Sequence, residues 1–342
     1  MTRPGRILAS LLSIAGVAGA LAACGGAGAS DSGTRTLTLY NAQHEDLMKA
    51  MVAGFTEKTG IEVEFRNGDD AELANQIVQE GNASPADVFV TENSPSVQLV
   101  ADAGLFSPVE EATLAQVPAQ YRPSSGSWVG FAARSTVLAY NPDLISEAQL
   151  PASMLDLANP EWKGRVGFPP GGADFQAIVS AVLALRGEEA TRTWLQGLAD
   201  GDAIYPGNTA VMKAVNEGEI PVGIMYHYYW YKDQAESGAN SDHVRLHLLG
   251  NQDPGAFVSV SGAGVLASSG HQDEAQQLVE YLTSADGQRR LAASTALEYA
   301  VGNGAASAAV LPPLDTLGAP AVDPGSLNGP KVTQLMQDVG LL

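Results

Sequence analysis

Thr36-Leu37-Thr38-Leu39-Tyr40 alternates polar and apolar side chains, the period-two signature of a half-buried strand. Residues 44–58 follow with Leu47, Met48, Met51, Val52 and Phe55 at helical spacing, and Gly60 supplies the stop. Residues 61–65 read as a second strand, 71–80 as a second helix and 87–91 as a third strand. A βαβαβ order with short joins predicts a parallel sheet covered by helices. Outward from this unit, residues 128–140 are extended for long enough to cross from one lobe to another. A second α/β set follows, with a strand at 165–168, helices at 175–185, 188–198 and 209–217, and a buried strand at 220–224. Residues 257–266 form another apolar extended run, suited to a return crossing, and 272–282, 286–293 and 331–342 read as helices. The expected fold is α/β with two lobes, 36–133 plus 260–310 and 134–259 plus 311–342, joined by two crossing strands. A cleft between such lobes is the usual place for a ligand.

The N-terminus points to export. Arg3 and Arg6 precede an apolar stretch over residues 7–21, and Leu21-Ala22-Ala23-Cys24 matches a lipobox. So short a stretch with these flanks reads as a signal peptide over 1–23, with Cys24 as the acylated first residue. Cys24 is the single cysteine, which excludes a disulfide framework and a thiolate metal site from the mature chain. Residues 24–35, rich in Gly, Ala and Ser, have the composition of a flexible tether. The expectation is a lipid-anchored protein on the outer face of the cytoplasmic membrane, touching the membrane through its anchor only.

Charge narrows the partners. The whole chain holds 18 Lys plus Arg against 38 Asp plus Glu. Without Arg3 and Arg6 the balance is 16 against 38, a net of −22. Such a body repels nucleic acid and anionic surfaces and draws cations.

The chemistry concentrates in Tyr226-His227-Tyr228-Tyr229-Trp230-Tyr231-Lys232. On a strand, Tyr228 and Tyr229 would face opposite ways. The pair falls where the 220–224 strand runs out, so irregular backbone there is expected to turn both phenols into one cleft. Phenolate is a hard oxygen donor, and two of them suit Fe(III) better than Zn(II) or Cu(I). The same run also fits an aromatic patch at the core's edge with its hydroxyls hydrogen-bonded. No Gly-x-Ser-x-Gly elbow, P-loop or His-Glu-x-x-His is present. His243 and His247 sit in an alternating stretch and read as structural.

Several runs resemble the ferric-ion-binding proteins of bacterial ABC importers, a branch of the periplasmic type II solute-binding proteins. They include Leu39-Tyr40-Asn41-Ala42-Gln43-His44, Ser84-Pro85-Ala86-Asp87-Val88-Phe89-Val90-Thr91-Glu92, Pro160-Glu161-Trp162-Lys163-Gly164-Arg165, Tyr228-Tyr229-Trp230 and Asp253-Pro254-Gly255-Ala256. The resemblance spans nearly the whole mature chain. It implies a two-lobed periplasmic-binding-protein fold, a monomeric non-enzymatic receptor for Fe(III), and an ABC permease as partner. It implies iron ligands at His44, Glu92, Tyr228 and Tyr229, two from each lobe, leaving two octahedral positions for an anion or water. Phosphate-using members place a hydroxyl residue, Gly and Ala at a second-lobe helix start, with two asparagines. The matching positions here are Gly171, Gly172 and Ala173, with Asn208 retained and Tyr226 in place of the other asparagine. Asp174 adds a negative charge beside them. Weak dependence on phosphate is therefore expected, with carbonate helped by Arg134, or a third oxygen ligand such as Tyr226, fitting better. Two other readings stay open: a receptor for another cationic or chelated-metal solute, and a lipid-anchored metalloenzyme, for which no general acid or base is evident.

Overall fold

The computed structural model describes residues 35–201 and 203–342. The signal-peptide, tether and Cys24 assignments lie outside the described residues, apart from Arg35. In chain order the elements are β1 (Thr36–Asn41), α1 (Glu45–Thr59), β2 (Glu62–Asn67), α2 (Asp70–Glu80), β3 (Val88–Val90), α3 (Ser94–Asp102) and α4 (Glu111–Leu114). Then come β4 (Val129–Tyr140), β5 (Val166–Phe168), α5 (Ala173–Ala199), β6 (Ala203–Ile204), α6 (Asn208–Asn216), β7 (Val222–Tyr226) and α7 (His227–Glu236). The chain closes with β8 (Arg245–His247), β9 (Val258–Val265), α8 (Gln272–Thr283), α9 (Ala285–Ala293), β10 (Tyr299–Ala300) and α10 (Gly329–Asp338).

The strands order as β2-β1-β3-β9-β4-β7-β5-β6, with β8 and β10 each added on β4. β1 pairs in parallel with β2 and β3, as the βαβαβ pattern requires, and β5 pairs in parallel with β6 and β7. β4 serves both halves: its first part pairs with β9 and β10, and from Thr136 onward it pairs with β7 and β8. All twelve residues of β4 are buried, including the polar Arg134-Ser135-Thr136 at the point where the strand passes from one half to the other.

Two main cores flank this crossing. One gathers Leu39, Phe55, Phe131, Leu278 and Tyr299, and it is closed by Leu311 and Leu317. The other gathers Phe168, Phe175, Trp194, Ile224 and Tyr228, with Leu327, Val332, Leu335 and Met336 from the C-terminal stretch. Burial of such side chains at about 1.5–3 kcal/mol each supplies most of the folding drive. The two helices expected at 175–185 and 188–198 are present as the two parts of α5, separated at Gly187 (φ 79°, ψ 174°), where the backbone is not helical. Gly223 lets α6 approach β7, since a Cβ there would stand 2.3 Å from Val211 Cγ1.

One expectation is corrected. Tyr228 and Tyr229 lie not on irregular backbone but in the first turn of α7, which starts directly after β7 with Tyr226 as its N-cap. The chain moves from strand to helix without a loop, so aromatic and β-branched composition at 220–231 masks the boundary. Lys232 lies in the middle of this helix.

Candidate metal-binding cleft

Six helices begin just beyond the carboxyl ends of strands: α1, α2, α3, α5, α6 and α7. Their N-cap residues are His44, Asp69, Asn93, Gly172, Gly207 and Tyr226, and none makes a side-chain cap. By contrast Ser284 and Asn328, which open α9 and α10, do cap their helices. Open α/β sheets hold ligands at this end of their strands, where helix N-termini favour negative charge. The uncapped side chains are thereby free for other work.

His44 shows this directly. It ends the β1–α1 join at φ −49° and ψ 124°, and its ring makes no cap to α1. Its Nε2 is shielded from solvent, has no hydrogen-bond partner, and lies 3.5 Å from Glu92 Oε1. Glu92 follows β3, where Asp70 fixes the backbone by accepting the N–H of Glu92 at 2.8 Å and of Asn93 at 2.9 Å. From the other half, Tyr228 donates its hydroxyl to the same Glu92 Oε1 at 3.0 Å. The Tyr228 and Tyr229 rings lie 4.2 Å apart between centroids at 30°, so adjacent helical positions do present both phenols to one space. His44 meets the Tyr228 ring edge-on at 5.4 Å. All four sequence-predicted ligands are thus neighbours.

Asp174, in the first turn of α5, completes the group. Tyr229 donates to its Oδ2 at 3.2 Å, Asn208 to the same oxygen at 2.8 Å, and Asn93 to Oδ1 at 3.0 Å. A cavity of about 430 Å³ adjoins these atoms, lined by Glu92, Gly171, Gly172, Ala173, Asp174, Asn208 and Tyr229 among others. The expected anion positions therefore gather here, with a carboxylate of the protein already among them. Two other residues from that set lie elsewhere. Tyr226 is wholly buried, its hydroxyl 3.5 Å from Asn93 Oδ1. Arg134, also wholly buried, spends its guanidinium on Glu92 and on Glu298, the latter at 2.8 Å, beneath the Tyr228 ring.

Glu298, Asn93 and Asp70 were not singled out from sequence. Glu298 carried a signal, being the one charged residue between 291 and 314. A lone charge in an apolar stretch either reaches solvent or pairs with a buried counter-ion. His243 and His247, read as structural, sit at the surface against Asp143 and Glu147 at 3.0 and 3.2 Å.

The electrostatics suit a cation that displaces protons. Burial, then the charges of Asp174 and Glu92, hold the Tyr228 and Tyr229 hydroxyls well above the usual phenol range. Burial likewise pushes Asp174 up to about 7 and raises Glu92, against the pull of Arg134. His44 is lowered by burial and so is neutral near pH 7, the state that ligates. Among the described residues no three His, Cys, Asp or Glu side chains form a ligand cluster of their own. The donor set exists only when the phenols are counted, and phenolate with carboxylate is hard-cation chemistry.

Residues 83–318 match the family model described as bacterial extracellular solute-binding protein. The chain is 57% identical over 311 residues to the Fe(3+)-binding periplasmic protein of Serratia marcescens, covering 91% of this chain and 92% of that protein. It is 36% identical over 308 residues to the major ferric iron-binding protein of Neisseria meningitidis serogroup B, covering 89% and 93%. The chain belongs to the bacterial ferric-ion-binding branch of the solute-binding proteins. Iron-bound HitA from Pseudomonas aeruginosa superposes with a TM-score of 0.84 at 44% identity, over 90% of this chain and all of that one. The architecture is accordingly the two-lobed type II periplasmic-binding-protein fold, with β4 as a strand shared between the lobes.

Proposed function

We propose that this protein is an extracytoplasmic receptor that captures Fe(III) between its lobes and delivers it to an ABC permease. His44 and Glu92 supply an imidazole and a carboxylate from one side, and Tyr228 and Tyr229 supply two phenolates from the other. The observation that carries this reading is Glu92 Oε1, which meets Tyr228 OH at 3.0 Å and His44 Nε2 at 3.5 Å. A trivalent ion seated there replaces hydrogen bonds that now join the two sides, so metal binding favours the closed arrangement by hinge closure. Asp174 takes the part of an added anion: its carboxylate already holds the donors of Asn93 and Asn208, beside the Tyr229 hydroxyl. The two carboxylates that line the cavity, Glu92 and Asp174, are engaged in this reading as metal ligand and built-in anion, which is a carrier's use of them and not an enzyme's.

Fe(III)–phenolate bonding gives a visible charge-transfer band, so titration with Fe(III) reads the site directly. Tyr228→Phe or Tyr229→Phe keeps the ring and removes the donor. Each is expected to shift or abolish the band and to weaken binding more than about 100-fold, beyond the cost of losing an outer-shell partner. Wild-type colour and affinity in the double variant would overturn the assignment. Anchoring through Cys24 is part of the same proposal, and stable attachment takes more than one acyl chain. Cys24→Ser is expected to release the protein or leave its precursor unprocessed; unchanged membrane retention argues against the anchor.

A further inference from the structure

Glu298 is wholly buried between α9 and β10 and has no place among the proposed ligands. Its Oε2 lies 2.8 Å from Arg134 Nη2 and accepts from Gln43 Nε2 at 3.3 Å. Its Oε1 has no hydrogen-bond partner and lies 3.9 Å from His44 Nε2. Gln43 in turn accepts the backbone N–H of His44 at 2.6 Å, so Glu298 braces the His44 side of the cleft as well. Arg134 is a permanent cation. Its Nη1 stands 3.4 Å from Glu92 Oε1, the oxygen that also accepts from Tyr228, and its guanidinium lies 5.5 Å from the Tyr228 ring centre. Without compensation, Arg134 would compete with an arriving metal for Glu92.

We propose that Glu298 is a positioning residue that holds and neutralises Arg134 and thereby sets the preference of the cleft for a trivalent ion. The inference rests on the Fe(III) reading above. Charge counting shows how it works. Glu92, Asp174 and Glu298, with Tyr228 and Tyr229 as phenolates, oppose Arg134 alone and leave four negative charges for the metal. Farther out, Asp69, Asp70 and Glu72 also line the cavity and Lys232 acts on Glu92, and all of them are unchanged by substitution at Glu298. A trivalent ion leaves one negative charge uncompensated and a divalent ion leaves two. Removing the Glu298 charge takes away attraction in proportion to the charge of the ion.

The test uses Ga(III) as a redox-inert trivalent probe and Zn(II) as the divalent one, each titrated against a competing chelator. In Glu298→Gln, Ga(III) affinity is expected to fall at least about tenfold, with about three log units lost for every two lost by Zn(II). The double variant Glu298→Gln/Arg134→Gln restores the charge balance and is expected to recover most of the Ga(III) affinity, because removing both members of a buried pair is far milder than removing one. Equal losses for the two ions, or a double variant no better than the single, overturn the proposal and leave Glu298 a purely structural residue. Should Glu298→Gln fail to fold, Arg134→Gln carries the opposite sign: it is expected to tighten Ga(III) more than Zn(II), and equal weakening of both overturns the idea. A wild-type protein that binds neither Ga(III) nor Fe(III) overturns the receptor reading and this proposal with it. Normal wild-type binding with unselective losses overturns only this proposal.

Discussion

Tyr229 donates its hydroxyl to Asp174 Oδ2 at 3.2 Å, and Asn208 donates to that same oxygen at 2.8 Å. One carboxylate oxygen of the protein thus sits where a helix start and an amide side chain are arranged for a small anion. Under the proposed Fe(III) reading, Asp174 is the receptor's own anion. Fe(III) affinity of the wild type is expected to change less than about tenfold on adding phosphate or carbonate, because Asp174 excludes the first by charge and space. Asp174→Asn keeps the shape and removes the charge, and should make Fe(III) binding weak alone and strengthened by phosphate. Titrations with and without each anion decide it. Strong phosphate dependence in the wild type would sink the reading.

His44 opens α1 without capping it. Ser at such a position accepts from a first-turn N–H and typically adds about 1 kcal/mol over a residue that makes no cap. His44→Ser is therefore expected to raise the stability of the metal-free protein by about that amount while it lowers Fe(III) affinity. Denaturant unfolding of the metal-free protein, paired with Fe(III) titration, checks both signs. A variant that loses stability and keeps its iron affinity argues that His44 is a packing residue.

The lobes were legible in sequence where periodicity is simple. The 36–91 pattern gave strands and helices within a residue or two of those observed, because amphipathic α1 and alternating β1 have separate periods. The 220–231 run was harder, since β7 and the start of α7 are both buried and share one composition. His44, Glu92, Tyr228 and Tyr229, which the structure brings together, were singled out by residue chemistry and resemblance. Glu298 and Asn93 were not, because their roles depend on pairing across long sequence separations, 164 residues from Arg134 to Glu298 and 81 from Asn93 to Asp174. Short β10, two residues long, leaves no periodic signal at all.

Metal binding must expel protons. Both phenol hydroxyls are held well above the usual range by burial, so they are protonated at neutral pH until a cation takes their place. Asp174, pushed up to about 7 by burial, contributes a further fraction. Fe(III) uptake near pH 7 is expected to release between about two and three protons per ion, after correction for the carrier chelate. Affinity should then climb by about two to three log units per pH unit around neutrality and collapse in acid. Tyr228→Phe should lower the proton count by about one. A pH-stat or weakly buffered titration reads the number, and a count near zero would show that the phenols are not ligands.

The metal-free cleft should also destabilise the fold as pH rises. Burial raises the Asp174 carboxyl from 3.8 to about 7, and it raises Asp70 and Glu92 in the same direction. Between these limits the folded state binds more protons than the unfolded chain, so stability falls with increasing pH. Asp174 alone accounts for a change on the order of a few kcal/mol across that window, complete once pH exceeds the folded value. The large negative net charge of the chain acts with the same sign. Metal-free protein is therefore expected to melt at a higher temperature near pH 5 than near pH 8, and Asp174→Asn should flatten that difference. Saturating Fe(III) should reverse the trend, since the metal binds the deprotonated site and stabilises by mass action. Thermal unfolding at the two pH values, with and without Fe(III), tests the sign, and a metal-free protein more stable at pH 8 than at pH 5 would show that the hydrogen bonds and Arg134 outweigh burial in this acidic cluster.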